Sequence, residues 1–244
     1  MAHQEIKRII PGARTALLLI HGIVGTPDHF ATFLPLIPDD YSVYNLLLDG
    51  HGKGVRDFSR SSMAKWRAQV SQAVKELSVS HDEILVVGHS MGCLLASELA
   101  VSTPKIKGLF LLAIPLRLHF RLSMVGISLK VYLNRVSSSD QKALAALRCY
   151  GIEPDRNPFH YLGWIPRFLE LFRLMKTVRR ILPQLQTPCR VYLSAKDELV
   201  SLRSKALLEV NKNFSVSVLP DSTHYYYAPK DMEFLLSEFK NFIT

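Results

Sequence analysis

The sequence predicts an α/β fold in which a mostly parallel central sheet is covered by helices on both faces. Strand-length apolar runs alternate with helix-length amphipathic stretches through most of the chain, and this alternation is typical of parallel sheets. Residues 116–183 lack the alternation and are predicted to form three or four helices instead. We therefore expect one core made of residues 1–115 and 187–244, with residues 116–186 inserted as a helical cap.

The individual elements are predicted from apolar runs and from residues that start helices. Residues 5–10 suit an edge strand, and residues 15–20 are apolar enough for a buried strand. A helix should begin at Thr26 and Pro27, because threonine caps helix N-termini and proline fits the first helical position. Further strands are expected at residues 41–48, 84–87, 108–114, 189–194 and 215–219. Further helices are expected at residues 62–77, 93–100, 165–182, 202–210 and 229–242.

A five-residue motif, Gly88-His89-Ser90-Met91-Gly92, separates one predicted strand from the helix that follows it. A serine in such a sharp turn has a strained backbone, and its hydroxyl is pushed out at the carboxyl end of the sheet. Glycines on both sides lack a Cβ and allow neighbouring chains to pass closely. The motif therefore predicts that Ser90 is a nucleophile, with a plain glycine turn as the alternative.

A serine nucleophile needs a base, and a histidine is the usual one because its pKa lies near neutral pH. In enzymes with this type of turn, an acid and then the histidine follow the serine along the chain. His224 is the histidine that follows the insertion, and Asp197 precedes it in the loop after a predicted strand. We expect Asp197 to orient His224 and to stabilise its charged form. Glu198 is interpreted as a solvated loop charge, and Asp221 as a weaker candidate for the acid.

Attack of a serine on a carbonyl creates an oxyanion, which two backbone N–H groups must stabilise. The N–H of Met91 is one candidate, because this residue follows the nucleophile. The second donor is expected from the loop after the first buried strand, where we select Ile23. Gly22 and Gly25 flank that residue and allow the loop to turn its amide inward.

The composition restricts the class of protein. Three scattered cysteines, Cys93, Cys149 and Cys189, form neither a disulfide framework nor a metal-ligand pattern, and they suit reduced, buried thiols. The first residues are unlike a signal peptide, and no apolar run approaches the roughly 18 residues of a membrane span. We therefore expect a soluble cytoplasmic protein, and the serine chemistry above needs no metal or cofactor.

The net charge of +9 lies mostly in the predicted cap. Residues 116–186 contain twelve basic and four acidic residues, which leaves +8 in this segment. Nucleic acid is a poor explanation, because the basic residues alternate with large apolar ones and no binding motif is present. We expect either a solvated helix face or a contact of the basic face with anionic lipid surfaces, which would be transient, or with acidic substrates.

The clearest cap helix, residues 165–182, has an apolar face and a basic face. The apolar face is predicted to contain Phe168, Leu171, Phe172, Met175, Val178 and Leu182. Large apolar side chains in the cap suit a pocket for an acyl chain, and packing of the cap onto the core is the alternative for most of them. The candidates for this pocket are Phe120, Met124, Trp164, Phe168 and Phe172.

These positions together resemble the serine α/β-hydrolases, and within them the carboxylesterase and monoacylglycerol lipase branch. His21-Gly22 is similar to the oxyanion loop of this family, with His21 as a structural residue. Gly50-His51-Gly52 is similar to its glycine-histidine-glycine loop, where a substrate contact of His51 is the alternative to a structural role. The motif around Ser90 matches the nucleophile turn, Asp197 matches the acid loop, and His224 matches the base.

The resemblance covers nearly the whole chain outside the insertion. Trp66 matches a tryptophan that is common in the helix after the glycine-histidine-glycine loop. Asp49, where many members have proline, and Cys93, where a second small residue is usual, depart from the family pattern. The resemblance implies an α/β-hydrolase fold with a cap between the two halves of the sheet.

The predicted function is hydrolysis of carboxylic esters through an acyl-enzyme, with monoacylglycerols or similar single-chain acyl esters as small-molecule substrates. A thioesterase or a carbon–carbon bond hydrolase uses the same three residues, and it stays open because the cap decides the substrate. A ligand-sensing protein on the same fold is the alternative outside the enzymes. Dehalogenases and epoxide hydrolases are disfavoured, because the nucleophile in those families of this fold is an aspartate, and this chain has Ser90 at that position.

Overall fold

The computed structural model describes residues 3–119, 121–132 and 135–244, with the backbone alone at residues 122–125 and 128. Nine strands occur in this part of the chain: β1 (Ile6–Arg8), β2 (Thr15–Ile20), β3 (Ser42–Leu46), β4 (Lys53–Gly54), β5 (Glu83–His89), β6 (Ile106–Leu112), β7 (Ile152–Glu153), β8 (Cys189–Ser194) and β9 (Phe214–Leu219). Eight α-helices occur there too: α1 (Val55–Ser59), α2 (Met63–Ser80), α3 (Met91–Ser102), α4 (Leu122–Tyr132), α5 (Gln141–Cys149), α6 (Trp164–Ile181), α7 (Lys205–Leu208) and α8 (Pro229–Ile243).

Seven strands form the central sheet, in the order β1-β3-β2-β5-β6-β8-β9. Neighbouring strands in it are parallel except β1, which pairs antiparallel with β3 at one edge. The carboxyl ends of the parallel strands therefore point the same way, and the loops after β2, β5 and β8 lie at one end of the sheet. This sheet confirms the mostly parallel α/β architecture that the sequence predicts.

Strand β2 is buried on both faces, which explains its unbroken apolar sequence. Alternate residues of a strand point to opposite faces. Ala16 and Leu18 pack in one apolar cluster with side chains of α2, α3 and α6, whereas Leu17 and Leu19 pack in another with side chains of α8. Both faces of the sheet are therefore covered by helices, as the strand–helix alternation indicates.

Two of the predicted helices are shorter in the structure. Thr26 precedes a single 3-10 turn, Pro27–Phe30, and its side chain makes no capping hydrogen bond. Gly151 belongs to residues 116–186, which the sequence predicts as a cap and which are called the cap segment below. This glycine packs against Thr26, and a Cβ at Gly151 would overlap with the Thr26 methyl group. The helix predicted at residues 202–210 is a 3-10 turn followed by the short α7. Tertiary contacts thus override the local helix signals in both loops.

The segment between β6 and β8 contains α4, α5 and α6, together with a strand that the sequence did not predict. This strand, β7, pairs in parallel with β4 of the core. The pairing gives hydrogen-bond partners to backbone groups of the glycine-rich loop before α1. Among the described residues, no helix has both the length and the apolar character needed to cross a membrane.

Helix α6 attaches the cap segment to the core by apolar packing and by hydrogen bonds. Its buried side chains lie against α3. The Arg167 guanidinium donates to the carbonyl oxygens of Ser59 and Ser61. Glu170 pairs with Arg167 at 2.8 Å and accepts the N–H of Met63 at 2.9 Å. This part of the cap segment is therefore held against the start of α2.

Candidate active site

Ser90 lies between β5 and α3 and has a strained backbone, with φ 50° and ψ −118°. Such a conformation costs about 1–3 kcal/mol in a residue other than glycine. The turn is possible because both flanking glycines are in close contact with other backbone atoms. A Cβ at Gly88 would lie 2.7 Å from the Cys93 nitrogen, and one at Gly92 would overlap with the Ile20 carbonyl oxygen. The structure therefore contains the sharp turn that the motif predicts.

Asp197 and His224 form a buried acid–base pair. The Nδ1–H of His224 donates to Asp197 Oδ2 at 2.8 Å, and the two side chains are 2% and 1% exposed, respectively. The other oxygen, Oδ1, accepts the backbone N–H groups of Leu199 and Val200 at 2.7 Å each. Burial raises the pKa of Asp197, but His224 and these N–H groups together lower it by more. The pKa of Asp197 is therefore below its usual value. The ionised carboxylate directs the proton of His224 to Nδ1, which leaves the Nε2 lone pair available to a nucleophile.

His224 is held beside the nucleophile turn by His89, the residue before Ser90. The Nε2–H of His89 donates to the His224 carbonyl oxygen at 3.1 Å, and the two ring centroids are 4.9 Å apart. Among the described residues, Ser90 Oγ and His224 Nε2 form no hydrogen bond, a feature common in enzymes without substrate. Ser90 is 7% exposed and His224 2%, so both side chains are buried.

The two N–H groups predicted for the oxyanion hole belong to Met91 and Ile23. Met91 is the first residue of α3, so its N–H has no acceptor within the helix. The Ile23 N–H donates to no acceptor in the described part of the chain. The loop with Ile23 reaches the nucleophile, because a Cβ at Gly22 would lie 3.0 Å from Ser90 Cβ. Both residues therefore belong to segments that contact the turn at Ser90, and their role as an oxyanion hole stays a prediction.

Two histidines hold the loop after β2 in shape. His51 Nε2 accepts the N–H of Val24 at 3.1 Å, and its Nδ1–H donates to the Leu48 carbonyl oxygen. His21 Nε2 accepts the Leu48 N–H, and its Nδ1–H donates to the Gly22 carbonyl oxygen. Burial lowers the pKa of His51 to about 4 and that of His21 well below its usual value, which keeps both rings neutral. Val24, a β-branched residue at φ 53°, is strained in this loop.

A second histidine group connects the nucleophile turn to the cap segment. The rings of His29 and His89 stack at 3.6 Å, and Cys149 Sγ lies 3.4 Å from His29 Nδ1. Burial lowers the pKa of His29 to about 3. The Gly151 N–H donates to the Val24 carbonyl oxygen at 2.8 Å. No sequence pattern indicates these contacts. In the described residues, no three His, Cys, Asp or Glu side chains are arranged to hold a metal ion.

The expectation that Glu198 is a solvated charge was wrong. Its side chain is buried, and Oε2 accepts the backbone N–H of His224 at 3.2 Å. A buried polar N–H needs an acceptor, and Glu198 supplies it directly after the acid. Asp221, the weaker candidate for the acid, forms an exposed ion pair with Lys196 at 2.6 Å. Asp197 is therefore the carboxylate that the structure pairs with His224.

Of the five residues predicted for an acyl pocket, the side chains of three are described: Trp164 and Phe168 pack on the core, and Phe172 is exposed. Phe120 lies outside the described residues, and of Met124 only the backbone in α4 is described. The Trp164 ring packs at 4.8 Å from Phe58 of α1, and Phe168 lies beyond it at 6.4 Å from Trp164. Trp164 and Phe168 thus attach α6 to the core, which is the alternative role considered for such residues.

The predicted apolar face of α6 was partly wrong at Phe172, which is 48% exposed. The buried face consists of Leu171, Leu174, Met175 and Val178. Successive helical residues are rotated by about 100°, so Phe172 lies off the face that is centred on its neighbour. Together with Ile165 and Leu169 it forms an exposed apolar stripe.

The chain matches the model of the Alpha/beta hydrolase family over residues 17–235. It is 27% identical to a thermostable monoacylglycerol lipase from Bacillus sp. (strain H-257) over 195 residues, 75% of this chain and 71% of the lipase. It is 33% identical over 94 residues to the dihydrolipoyllysine-residue acetyltransferase component of the acetoin cleaving system of Cupriavidus necator. That match covers 38% of this chain and spans only 25% of the acetyltransferase.

Solved structures share the fold. The structure described for LipS and LipT, two metagenome-derived lipolytic enzymes, has a TM-score of 0.76 with 18% identity, and the alignment covers 99% of this chain and 97% of the other. The thioesterase domain from the curacin biosynthetic pathway has a TM-score of 0.61 with 18% identity and full coverage of both chains. At this identity the likeness concerns the fold, which lipolytic enzymes and a thioesterase have in common.

Proposed function

The chain belongs to the alpha/beta hydrolase family, and from this premise we propose that it is a serine hydrolase that cleaves carboxylic esters through an acyl-enzyme. The observation that carries the proposal is the buried Asp197–His224 pair beside the strained turn of Ser90. Strain and buried charge both cost stability, and they recur together where a nucleophile needs a base.

The proposed reaction follows from the positions of these groups. Ser90 Oγ attacks the ester carbonyl and gives its proton to His224 Nε2, while Asp197 stabilises the imidazolium. The N–H groups of Met91 and Ile23 stabilise the oxyanion. The alcohol then leaves with the proton from His224, and Ser90 keeps the acyl group. Water attacks this acyl-enzyme with His224 as base, which releases the carboxylic acid and restores Ser90.

Monoacylglycerols or similar single-chain acyl esters are the proposed substrates. The similarity to the Bacillus monoacylglycerol lipase supports this choice, because it covers three quarters of the chain. A thioester has the same carbonyl and suits the same three residues, and the thioesterase domain with this fold makes it the second candidate. Location in the cytoplasm stays a prediction that accords with the three free, buried cysteines.

Transient contact with a lipid surface is part of the proposal. Phe159, Leu162, Ile165, Leu169 and Phe172 are 48–74% exposed and come from α6 and the 3-10 turn before it. Basic residues of α6 such as Arg173 and Lys176 are exposed on the same helix. Apolar side chains beside basic ones are typical of surfaces that bind anionic membranes.

The test is hydrolysis of p-nitrophenyl esters of increasing chain length by the wild type, Ser90→Ala and Ser102→Ala. Ser102 ends α3 and is exposed, which makes it the matched control. We expect Ser90→Ala to lose about 10⁴–10⁶ in turnover and the control to keep it. Labelling of the wild type by a fluorophosphonate at Ser90, detected by mass spectrometry, is the second readout.

Three outcomes separate the candidates. Ester turnover that depends on Ser90 supports the proposal, and its chain-length optimum gives the size of the acyl site. Turnover of acyl thioesters but not of esters would refute the esterase and support the second candidate, a thioesterase. A wild type that is neither labelled nor active on any ester or thioester would refute the hydrolase and leave the ligand-sensing protein.

A further inference from the structure

A cleft of about 540 Å³ lies between the start of the cap segment, the end of α6 and the loop after β8. It is lined by Arg117, Leu118, His119, Arg179, Ser201 and Arg203. Neither Ser90 nor His224 lines it, so the cleft is separate from the candidate active site. Because arginine stays protonated at any physiological pH, the cleft carries three permanent positive charges and no negative one.

The three arginines come from three distant parts of the sequence. A charged helix face would place them on one element, whereas here only Arg179 belongs to a long helix. None of the three forms an ion pair with a carboxylate of the described residues. Other arginines of the protein do form such pairs: Arg67 pairs with Glu98, and Arg167 pairs with Glu170. The cleft therefore collects cationic groups whose charge no described acid neutralises.

One wall of the cleft is held rigidly by backbone hydrogen bonds. The Arg117 carbonyl oxygen accepts the Ser201 N–H at 2.8 Å, and the Arg117 N–H donates to Ser204 Oγ at 2.9 Å. Leu118 forms an antiparallel bridge with Val200. These bonds fix the backbone at Arg117, whereas the side chains of Arg117, Arg179 and Arg203 are exposed to solvent and become ordered when a ligand binds.

The cleft lies next to the loop that contains Asp197, the candidate acid, because His119 contacts the backbone of that loop. His119 Nε2 donates to the Asp197 carbonyl oxygen at 2.8 Å, and the His119 N–H donates to that of Leu199. The side chain of Asp197 is hydrogen-bonded to His224, and neither of these two residues lines the cleft. A ligand in the cleft would therefore contact the outer side of this loop and leave the reacting atoms free.

We infer that this cleft binds the phosphate group of a phosphate-bearing ligand, either a soluble organic phosphate or a phospholipid headgroup. The planar guanidinium donates two parallel hydrogen bonds to phosphate oxygens, and a phosphomonoester or pyrophosphate has enough oxygens for several arginines. The volume exceeds that of a phosphate alone and is typical of sites for small organic ligands. The inference goes beyond ester hydrolysis and does not depend on it.

Titration with sodium pyrophosphate in a calorimeter at constant ionic strength tests the site. The proteins are the wild type, Arg179→Gln, Arg203→Gln and the control Arg180→Gln, which removes an exposed charge next to Arg179 on α6. We expect saturable binding with one site, weakened about tenfold or more by each of the first two changes. The control should bind as the wild type does. Absence of saturable binding by the wild type, or equal weakening by the control, would overturn the inference.

The source of the phosphate is decided by a second arm with vesicles of phosphatidylcholine, with and without phosphatidic acid. Binding to phosphatidic acid that Arg179→Gln weakens and pyrophosphate displaces would assign the cleft to a lipid headgroup. Pyrophosphate binding without vesicle binding would assign it to a soluble organic phosphate. Vesicle binding that Arg179→Gln and Arg180→Gln weaken equally, in a protein that does not bind pyrophosphate, would refute the site as a phosphate pocket.

Discussion

The core side and the cap side of the candidate active site are built in different ways. On the core side, Ser90 and Met91 are placed by one strand-to-helix turn, and Asp197 is held by N–H groups of its own loop. On the cap side, Gly151 contacts the loop after β2 through a hydrogen bond between segments more than a hundred residues apart in sequence. The core side thus depends on local backbone geometry, and the cap side on packing.

This difference shows which features of the structure a short sequence motif can predict. The close contact of Gly88 with Cys93 lies within the motif, whereas that of Gly92 is made with the Ile20 carbonyl oxygen at the end of β2, the neighbouring strand of the sheet. The face that a cap helix buries depends instead on the partner it meets, and the exposure of Phe172 illustrates this.

Substitutions in the core should therefore have large effects, and those at open cap positions such as Gly126 and Phe172 small ones. Gly151 is an exception in the cap segment, because a Cβ there would overlap with Thr26.

The largest expected difference is in the loss of kcat when two adjacent carboxylates of the core side are replaced. Asp197→Asn leaves His224 without its charged partner and favours the wrong tautomer, so we expect kcat to fall by about 10³–10⁴. Glu198→Gln keeps an acceptor oxygen for the His224 N–H and should cost less than about tenfold. The measurement is kcat and KM on a p-nitrophenyl ester between pH 5 and 9. Equal losses in the two variants would contradict the assignment of Asp197 as the acid.

The second prediction compares a core glycine with a cap glycine. A Cβ at Gly92 would overlap with the Ile20 carbonyl oxygen, whereas one at Gly126 of α4 has nothing within 4 Å. Gly92→Ala should lower the free energy of unfolding by about 3 kcal/mol or more, or prevent folding. Gly126→Ala should raise it by up to about 1 kcal/mol, because alanine favours helix. Urea unfolding of both variants would refute the comparison if the two shifts were similar.

The third prediction concerns acid stability of the histidine-rich core side. The folded pKa of His29 is about 3 and that of His51 about 4, and those of His21 and His89 are also lowered. Below pH 6.5 the unfolded chain therefore binds more protons than the folded one, and stability decreases as the pH falls.

At pH 5, each histidine that stays neutral when folded should cost about 2 kcal/mol of the stability present at pH 7.5. Aspartates, whose unfolded pKa is 3.8, contribute little above pH 5, so the histidines dominate this window. Urea unfolding at several pH values measures the slope, and His29→Gln should reduce it. A stability that is flat from pH 7.5 to 5 would show that the buried rings do not titrate as the structure implies.

The smallest effect is expected on the exposed stripe of the cap. Phe172→Ser should change the free energy of unfolding by less than about 0.5 kcal/mol, because the ring is half exposed. If the stripe contacts lipid, the same change should weaken binding to anionic vesicles about fivefold. Val79→Ser, at an 87% exposed position of α2, is the matched control and should bind as the wild type does. Unchanged vesicle binding by Phe172→Ser would remove the stripe from the proposal.

Much of the core side could be predicted from the sequence. The strands of the sheet follow from apolar runs, and the turn at Ser90 follows from its glycines. The order of Asp197 and His224 after the serine directs both to the loops at one end of a parallel sheet. In the structure these two side chains are hydrogen-bonded to each other. The role of Glu198 could not be predicted, because a carboxylate in a loop is usually solvated and only the fold buries it.

The sequence by itself determined the α/β architecture and the candidate catalytic residues, because periodicity, missing Cβ atoms and chain order act over short distances or through the regular sheet. The tertiary structure alone decided that Gly151 contacts the loop after β2, that Phe172 faces outward, and that Arg117, Arg179 and Arg203 share one cleft. These features depend on which distant segments meet when the core is buried. That meeting is set by the packing of the whole chain and is not encoded in any local pattern.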